Sequence, residues 1–404
     1  MDTQPTTSER RPDLDALRVG AILLLHLYHS ARLFNVDDPW HLKAPQLLAA
    51  LNGPMDILHL LRMPLLMLIA GIGTAYALKR RTVGAFFQER AKRLLWPLIF
   101  GMFLVIPPQI YIERLSTGQF HGSYAAFYPS VFKFVTYPTG SLSWHHLWFV
   151  AYLFTYCLLA LPLFAWLNGA SGQAFLSKME ALFSKGLNLW LLFIPLALVR
   201  ILLRKYPETH ALIGDHKVFA YYGLLFLIGH LMGRCPALWD RLVAMRWQSL
   251  GVTAVWFAIM IQPWEFPFPF EHFGTYAVVW WTLLTFLGFA RKGITVPKPW
   301  ISYAQNLTYP FYIFHQTVII VLGWWLIRLP LGPWASFGLI TLATFLASWG
   351  LSEGVSRVGW LRPCFGLTRP FVGLAPAGSC AARTVGLRSC FGLAPQKKPS
   401  RVSP

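Results

Sequence analysis

Near the start of the chain, the apolar run LDALRVGAILLLHLYH carries an arginine and two histidines, Arg18, His26 and His29. Ionisable groups inside an apolar segment are costly, and their default meaning is functional. Arg18 and His29 stand eleven positions apart. At 100° per residue this is about 20° past three full turns, so on a helix both project from one face, roughly 16 Å apart along the axis. His26 lies on the same side, three residues before His29. A guanidinium at one end of such a face suits an anion, and an imidazole at the other suits proton abstraction. The plainer alternative is a histidine hydrogen-bonded within a bundle, with Arg18 as a topological anchor.

Three further segments have chemistry-bearing residues at useful spacing. In FFQERAKRLLWP, the most basic stretch of the chain, Arg90 and Arg93 are three apart and would face one anion if helical. In HHLWFVAYL, His146 and Trp148 open an apolar run that follows a long polar loop containing Glu113. In SYAQNLTYPFYIFHQ, His315 follows Tyr309 and Tyr312 by one to two helical turns. The loops 113–146 and 263–272 are rich in Tyr, Phe and Trp, which suit either sugar stacking or interfacial anchoring. The chain has no phosphate-binding glycine loop, HExxH or CxxC. Cysteines 157, 235, 364, 380 and 390 keep no metal-ligand spacing, so no metal is expected.

The elements that must hold these residues are membrane helices. Of 404 residues, 55% are apolar and only 13% charged, with a mean hydropathy of +0.48. A soluble chain carries roughly twice that share of charge. Apolar blocks without period-2 alternation predict an all-α, polytopic helical bundle of about ten transmembrane helices. They fall at 17–34, 57–78, 94–112, 147–167, 187–203, 218–232, 249–264, 273–290, 309–327 and 334–355. Most Lys and Arg gather in the N-terminal tail, in 79–93, in alternate later loops and in the tail from 355. This bias places both termini in the cytoplasm. It also explains the net charge of +19 without nucleic acid. Residues 1–358 form the expected membrane domain. Residues 359–404, in which CFGL and GLAP each occur twice, read as a low-complexity, disordered cytoplasmic tail.

Together these segments, with MPLLMLIAGIGTAYALKRRT and PPQIYIERL between them, resemble the membrane acyltransferase 3 family and, within it, the glucan biosynthesis protein C group. The resemblance spans about residues 12–355. It implies a multi-pass protein of the bacterial inner membrane that transfers an acyl group from cytoplasmic acyl-CoA to a hydroxyl of an extracytoplasmic carbohydrate. In the glucan group that is succinyl transfer to periplasmic glucan. The expected partners are acyl-CoA, the carbohydrate acceptor, the lipid bilayer and separate envelope glycan-synthesis proteins. No cofactor is expected to be bound permanently, because the thioester supplies the driving force. The implied roles are His29 as base or acyl acceptor, and Arg18, Arg90 and Arg93 as ligands of the CoA phosphates. His315, His146 and Glu113 would orient His29 or the acceptor, with Trp148 and Tyr309 also on the substrate side. A transporter or flippase that forms no ester, and a non-catalytic scaffold or receptor in an envelope assembly, are the other classes compatible with the same helices.

Overall fold

A computed structural model describes residues 11–37, 39–78, 81–260 and 267–367. Most of the tail, 368–404, and the first part of the aromatic loop at 263–272 lie outside these residues. The described part is helical, and its one β-bridge joins Thr136 to Leu142.

Each apolar block of the sequence falls on a helix. In chain order these are α1 (Pro12–Ala31), α2 (Asn52–Leu78), α3 (Val83–Ser116), α4 (His145–Leu159), α5 (Leu161–Asn168), α6 (Ala170–Phe183) and α7 (Trp190–Leu202). They continue with α8 (His216–Arg234), α9 (Ala237–Ala244), α10 (Arg246–Met260), α11 (Phe270–Gly293), α12 (Pro299–Leu326) and α13 (Pro333–Arg357). Four described helices are long and apolar enough to cross a membrane: Ala49–Leu78, Val83–Ser116, α11 and α13. The number is six if α4 with α5, bent by 46°, and α8 with α9, bent by 103°, each count as one span. The other blocks are shorter or more polar. For example, α12 carries Gln305, Asn306, His315 and Gln316.

The outward surface suits lipid. On α13, Leu342 and Leu346 are each 58% exposed, whereas Thr344 and Ser348 on the opposite face are fully buried. A helix that turns its leucines out and its hydroxyls in has apolar surroundings.

Small residues set the closest helix crossing. A Cβ on Gly71 of α2 would lie 2.1 Å from the Phe226 carbonyl oxygen, and one on Gly229 of α8 would lie 2.2 Å from that of Leu68. Glycine at both positions lets the two backbones touch, as small residues do between membrane helices.

The helix α3 begins well before the expected span. Thr82 caps its start by accepting from Ala85 N–H. The basic stretch expected as a loop is therefore helical, which places Arg90 and Arg93 on adjacent turns. Two wide π-helical stretches, Ala91–Leu95 and Gly101–Val105, interrupt α3. Prolines explain where the α pattern yields. Pro97 and Pro107 have no N–H for the carbonyls four residues earlier. The Phe103 carbonyl instead accepts from Tyr128 Oη at 3.0 Å, and the Val105 carbonyl accepts from Thr317 Oγ1 at 2.7 Å.

Residues 359–367, at the head of the segment read as a tail, fold back on the bundle. Phe365 is 2% exposed, stacks on Phe314 at 4.6 Å and meets Phe100 edge-on at 5.3 Å.

Candidate active site

The α1 helix starts at Pro12 with Asp13 and Asp15 in its first turn, both favourable at a helix N-terminus. Arg11 pins that end through Asp13 and through the Trp239 ring, 3.8 Å below its guanidinium. From there α1 runs between α2 and α12, and its face turned to α12 holds His29.

His29 Nδ1 lies 2.8 Å from His315 Nε2, and the rings are stacked with centroids 5.0 Å apart. The hydrogens follow from the next bond in the chain. His315 Nδ1 is 2.6 Å from the Tyr312 carbonyl oxygen, which only accepts, so Nδ1 carries the proton and Nε2 is a lone pair. His29 must then donate from Nδ1, which leaves its Nε2 lone pair available to a substrate. The indole of Trp40, parallel within 7°, backs the His29 ring.

His146 behaves differently. Its Nε2–H donates to the Ile313 carbonyl at 3.0 Å, and its Nδ1 accepts from Gln109 Nε2 at 3.4 Å. Both ring nitrogens are used, so His146 cannot take a substrate proton without losing a bond. It stands edge-on to His315, centroids 5.1 Å apart, and fixes that ring by packing. His26, expected beside His29, turns to α13, where Nε2–H donates to the Thr341 carbonyl at 3.1 Å.

Glu113 does not reach His29. One carboxylate oxygen accepts from His41 Nδ1, the other from Tyr137 Oη at 2.7 Å. His41 Nε2 then accepts from Gln316 Nε2, which also donates to Gln109 Oε1 at 3.1 Å. Glu113 thus ends a polar chain through His41, Gln316 and Gln109 to His146. Arg114 holds the overlying loop, donating to the Gly140 carbonyl at 2.6 Å and to Ser141 Oγ at 3.0 Å. In that loop, burial and the Glu113 carboxylate beside it raise the Tyr137 phenol above its usual range, keeping it the donor of the pair. His145 adopts a left-handed backbone (φ +39°), and its ring stacks on His41 at 4.7 Å. Ligand atoms of His41, Glu113 and His145 lie within 4.8 Å of one another. A cation there would have to displace the proton shared by His41 and Glu113.

Trp148 packs among Tyr152, Tyr222 and His210, the last 4.4 Å away. Tyr309 lies at the other end of the site. A Cβ on Gly366 would come 2.3 Å from the Tyr309 ring and 2.8 Å from the Arg93 carbonyl oxygen. The buried Tyr309 hydroxyl has no hydrogen-bond partner. Glu113 and Trp148 therefore belong to the histidine end and Tyr309 to the arginine end.

The arginine end is looser. Arg18 makes one ion pair, Nη1 to Asp15 Oδ1 at 3.3 Å, and keeps 31% of its side chain exposed. Arg93 reaches Glu89 at 3.4 Å, while Arg81 makes the better bond to the same carboxylate at 2.6 Å. Arg90 rests on the Phe86 ring, and its buried Nε has no partner. The charges of Arg90 and Arg93 both act on Arg18, so the three form one positive field. Lys92, Trp96 and Arg362 line a recess of about 350 Å³ on the same stretch of α3.

One buried cation in α2 was not singled out by sequence. Arg62 is 8% exposed, with its guanidinium carbon 3.5 Å from the centre of the Tyr28 ring. A desolvated cation–π contact is worth about 2 kcal/mol. Burying an ion costs several kcal/mol even after relaxation. The ring alone therefore leaves Arg62 under-compensated.

A family model described as an acyltransferase domain matches residues 11–353. No curated protein and no solved structure matches the chain. The matched segment contains both ends of α1 and every partner of His29 named above.

Proposed function

Because this chain belongs to the acyltransferase 3 family and is a membrane acyltransferase, we propose that His29 is its general base, transferring an acyl group from acyl-CoA to a carbohydrate hydroxyl. The observation that carries this is the His29–His315 bond of 2.8 Å, which leaves His29 Nε2 as a free acceptor on the helix face that also bears Arg18.

In the proposed reaction His29 Nε2 removes the acceptor hydroxyl proton as the oxygen attacks the thioester carbon. The tetrahedral adduct collapses with cleavage of the C–S bond, and His29 returns the proton to the departing thiolate. While His29 is protonated, its Nδ1–H bond to His315 becomes charge-assisted, and the Tyr312 carbonyl holds His315 in the tautomer that accepts it. This is the role of an orienting carboxylate in a catalytic triad, filled here by a neutral imidazole.

Arg18, Arg90 and Arg93 take the phosphates of CoA at the cytoplasmic end, with Lys92 and Arg362 beside them. The pantetheine arm, roughly 15–20 Å extended, spans the same distance as the eleven-residue rise of α1. The acceptor meets His29 from the opposite side of the membrane. This arrangement goes with ten spans and both termini in the cytoplasm of a bacterial inner-membrane protein. A periplasmic glucan or another envelope glycan fits as acceptor, and a succinyl or acetyl group as cargo.

The test is reconstitution of the full chain in vesicles with labelled acyl-CoAs on one side and envelope carbohydrate on the other. Label on sugar that requires His29 is expected. Wild-type-like labelling by His29→Ala would remove His29 from the reaction, and transport of carbohydrate without label would favour a flippase.

A further inference from the structure

Arg62 sits in the middle of α2, where positive-inside bias does not explain it. Two of its nitrogens, Nε and Nη1, are buried without any hydrogen-bond partner. The third, Nη2, makes one long bond of 3.4 Å, donating to His59 Nδ1. Among the described residues no carboxylate pairs with Arg62, and the neighbouring formal charge that acts on it is another cation, Arg32. The guanidinium is nonetheless built in: Tyr28 lies under it, and the Tyr28 hydroxyl is 3.2 Å from the same His59 nitrogen.

This unpaired cation borders the transfer centre. Tyr28 precedes His29 in sequence, and the two rings meet edge-on at 5.3 Å. The Arg62 charge acts on both His29 and His315. On its other side it acts with Tyr222, which packs on Trp148.

We propose that Arg62 is an anion subsite beside His29 and binds a carboxylate carried by one of the two substrates. It rests on the acyl-transfer role given to His29 above. A guanidinium with donors to spare matches both oxygens of a carboxylate. A substrate carboxylate brings a full negative charge in the ground state, which a buried permanent cation needs. An oxyanion that exists only during reaction would leave Arg62 uncompensated the rest of the time. The carboxylate has two sources: the far end of a dicarboxylic acyl group, or an acidic sugar in the acceptor.

The experiment uses the full chain in nanodiscs carrying His29→Ala, so that binding is measured without turnover. One arm compares succinyl-CoA with acetyl-CoA. The other compares a disaccharide containing a uronic acid with its neutral counterpart. The carboxylate member of one pair is expected to bind at least about 30-fold tighter, the scale on which buried charge pairs act. Adding Arg62→Met should bring that preference within about threefold. The arm that responds identifies the source.

Arg62→Met should also leave the melting temperature unchanged or raised, because it removes a buried charge without orphaning a partner. A lowered melting temperature, no preference in either pair, or a preference that survives Arg62→Met would each overturn the proposal. In protein that retains His29, equal slowing by Arg62→Met of acetyl and succinyl transfer to a neutral acceptor would overturn it as well, by assigning Arg62 to the common thioester. If Arg62-dependent binding is found but the wild-type chain transfers no acyl group, the subsite stands and the role of His29 falls.

Discussion

The two ends of α1 are built on opposite plans. At the histidine end, His315 and His146 have both ring nitrogens bonded, and His29 has one bonded and one lone pair left over. At the arginine end, Arg18 and Arg93 keep single ion pairs longer than 3.2 Å, and Arg90 rests on a ring. Bonds inside an apolar bundle fix a geometry, which proton transfer requires to a fraction of an ångström. Loosely held guanidiniums can adapt to a polyanion and let it go. One helix thus joins a rigid, fully bonded end to a looser, positively charged one.

The largest expected effect is on the rigid end. His29→Ala or His29→Gln should lower transfer by about 10²–10⁴-fold with expression and membrane insertion intact. The measure is initial rate with labelled donor, and a smaller loss would make the two ends alike. His315→Ala should cost about 10–100-fold in kcat with little change in donor KM. His315→Asn, which keeps an acceptor near the same place, should recover part of it. A pure KM effect would move His315 to the binding side of the comparison.

At the compliant end the signature reverses. Arg18→Ala and Arg90→Ala should each raise donor KM by about tenfold while kcat stays within a factor of about two. Rising salt should weaken wild-type donor binding and flatten the difference between wild type and variant. Salt-independent donor binding would deny the arginines their assigned role.

The smallest effect concerns the loop 203–215 that supports Trp148. Burial alone would raise the Glu208 carboxyl, but the charges of Arg200 and Lys217, bonded to it at 2.6 and 2.9 Å, outweigh burial and hold it below its usual range. A depressed carboxyl stabilises the fold above its unfolded pKa, and that contribution is lost as pH falls through the folded value. Glu208→Gln should lower the melting temperature near pH 7 by about a degree, since the group is part-exposed and screened, and by nothing measurable near pH 3. Equal shifts at both pH values would exclude the charge as the cause.

Sequence alone placed a helix under every apolar block and put Arg18 and His29 on one face, because periodicity is a local property. It also drew attention to His315 and His146. What it did not show was that His29 and His315, 286 positions apart, are bonded. Helical phase specifies a face but not which helix meets it. Glu113 was selected as a carboxylate near the site, yet its oxygens are taken by His41 and Tyr137, and His41 stands alone in a polar loop with no pattern around it. Gln109 and Gln316 lie inside the recognised motifs but give no signal there, because amides do not titrate. Arg62 could have been found: the rule that singled out Arg18, an ionisable group within an apolar block, applies equally to it.

The wide turns of α3 have their own implication for how such a protein can vary. Arg90 precedes both of them, and Gln109 and Glu113 follow both. Each wide turn takes up one residue without adding its rotation of about 100°, so removing one residue from either stretch would restore ordinary winding and leave the two ends of α3 nearly in phase. The two stretches therefore act as slack between the ends. A single-residue insertion or deletion there can be absorbed locally, so the helix can change length while the contacts at both ends stay where they are.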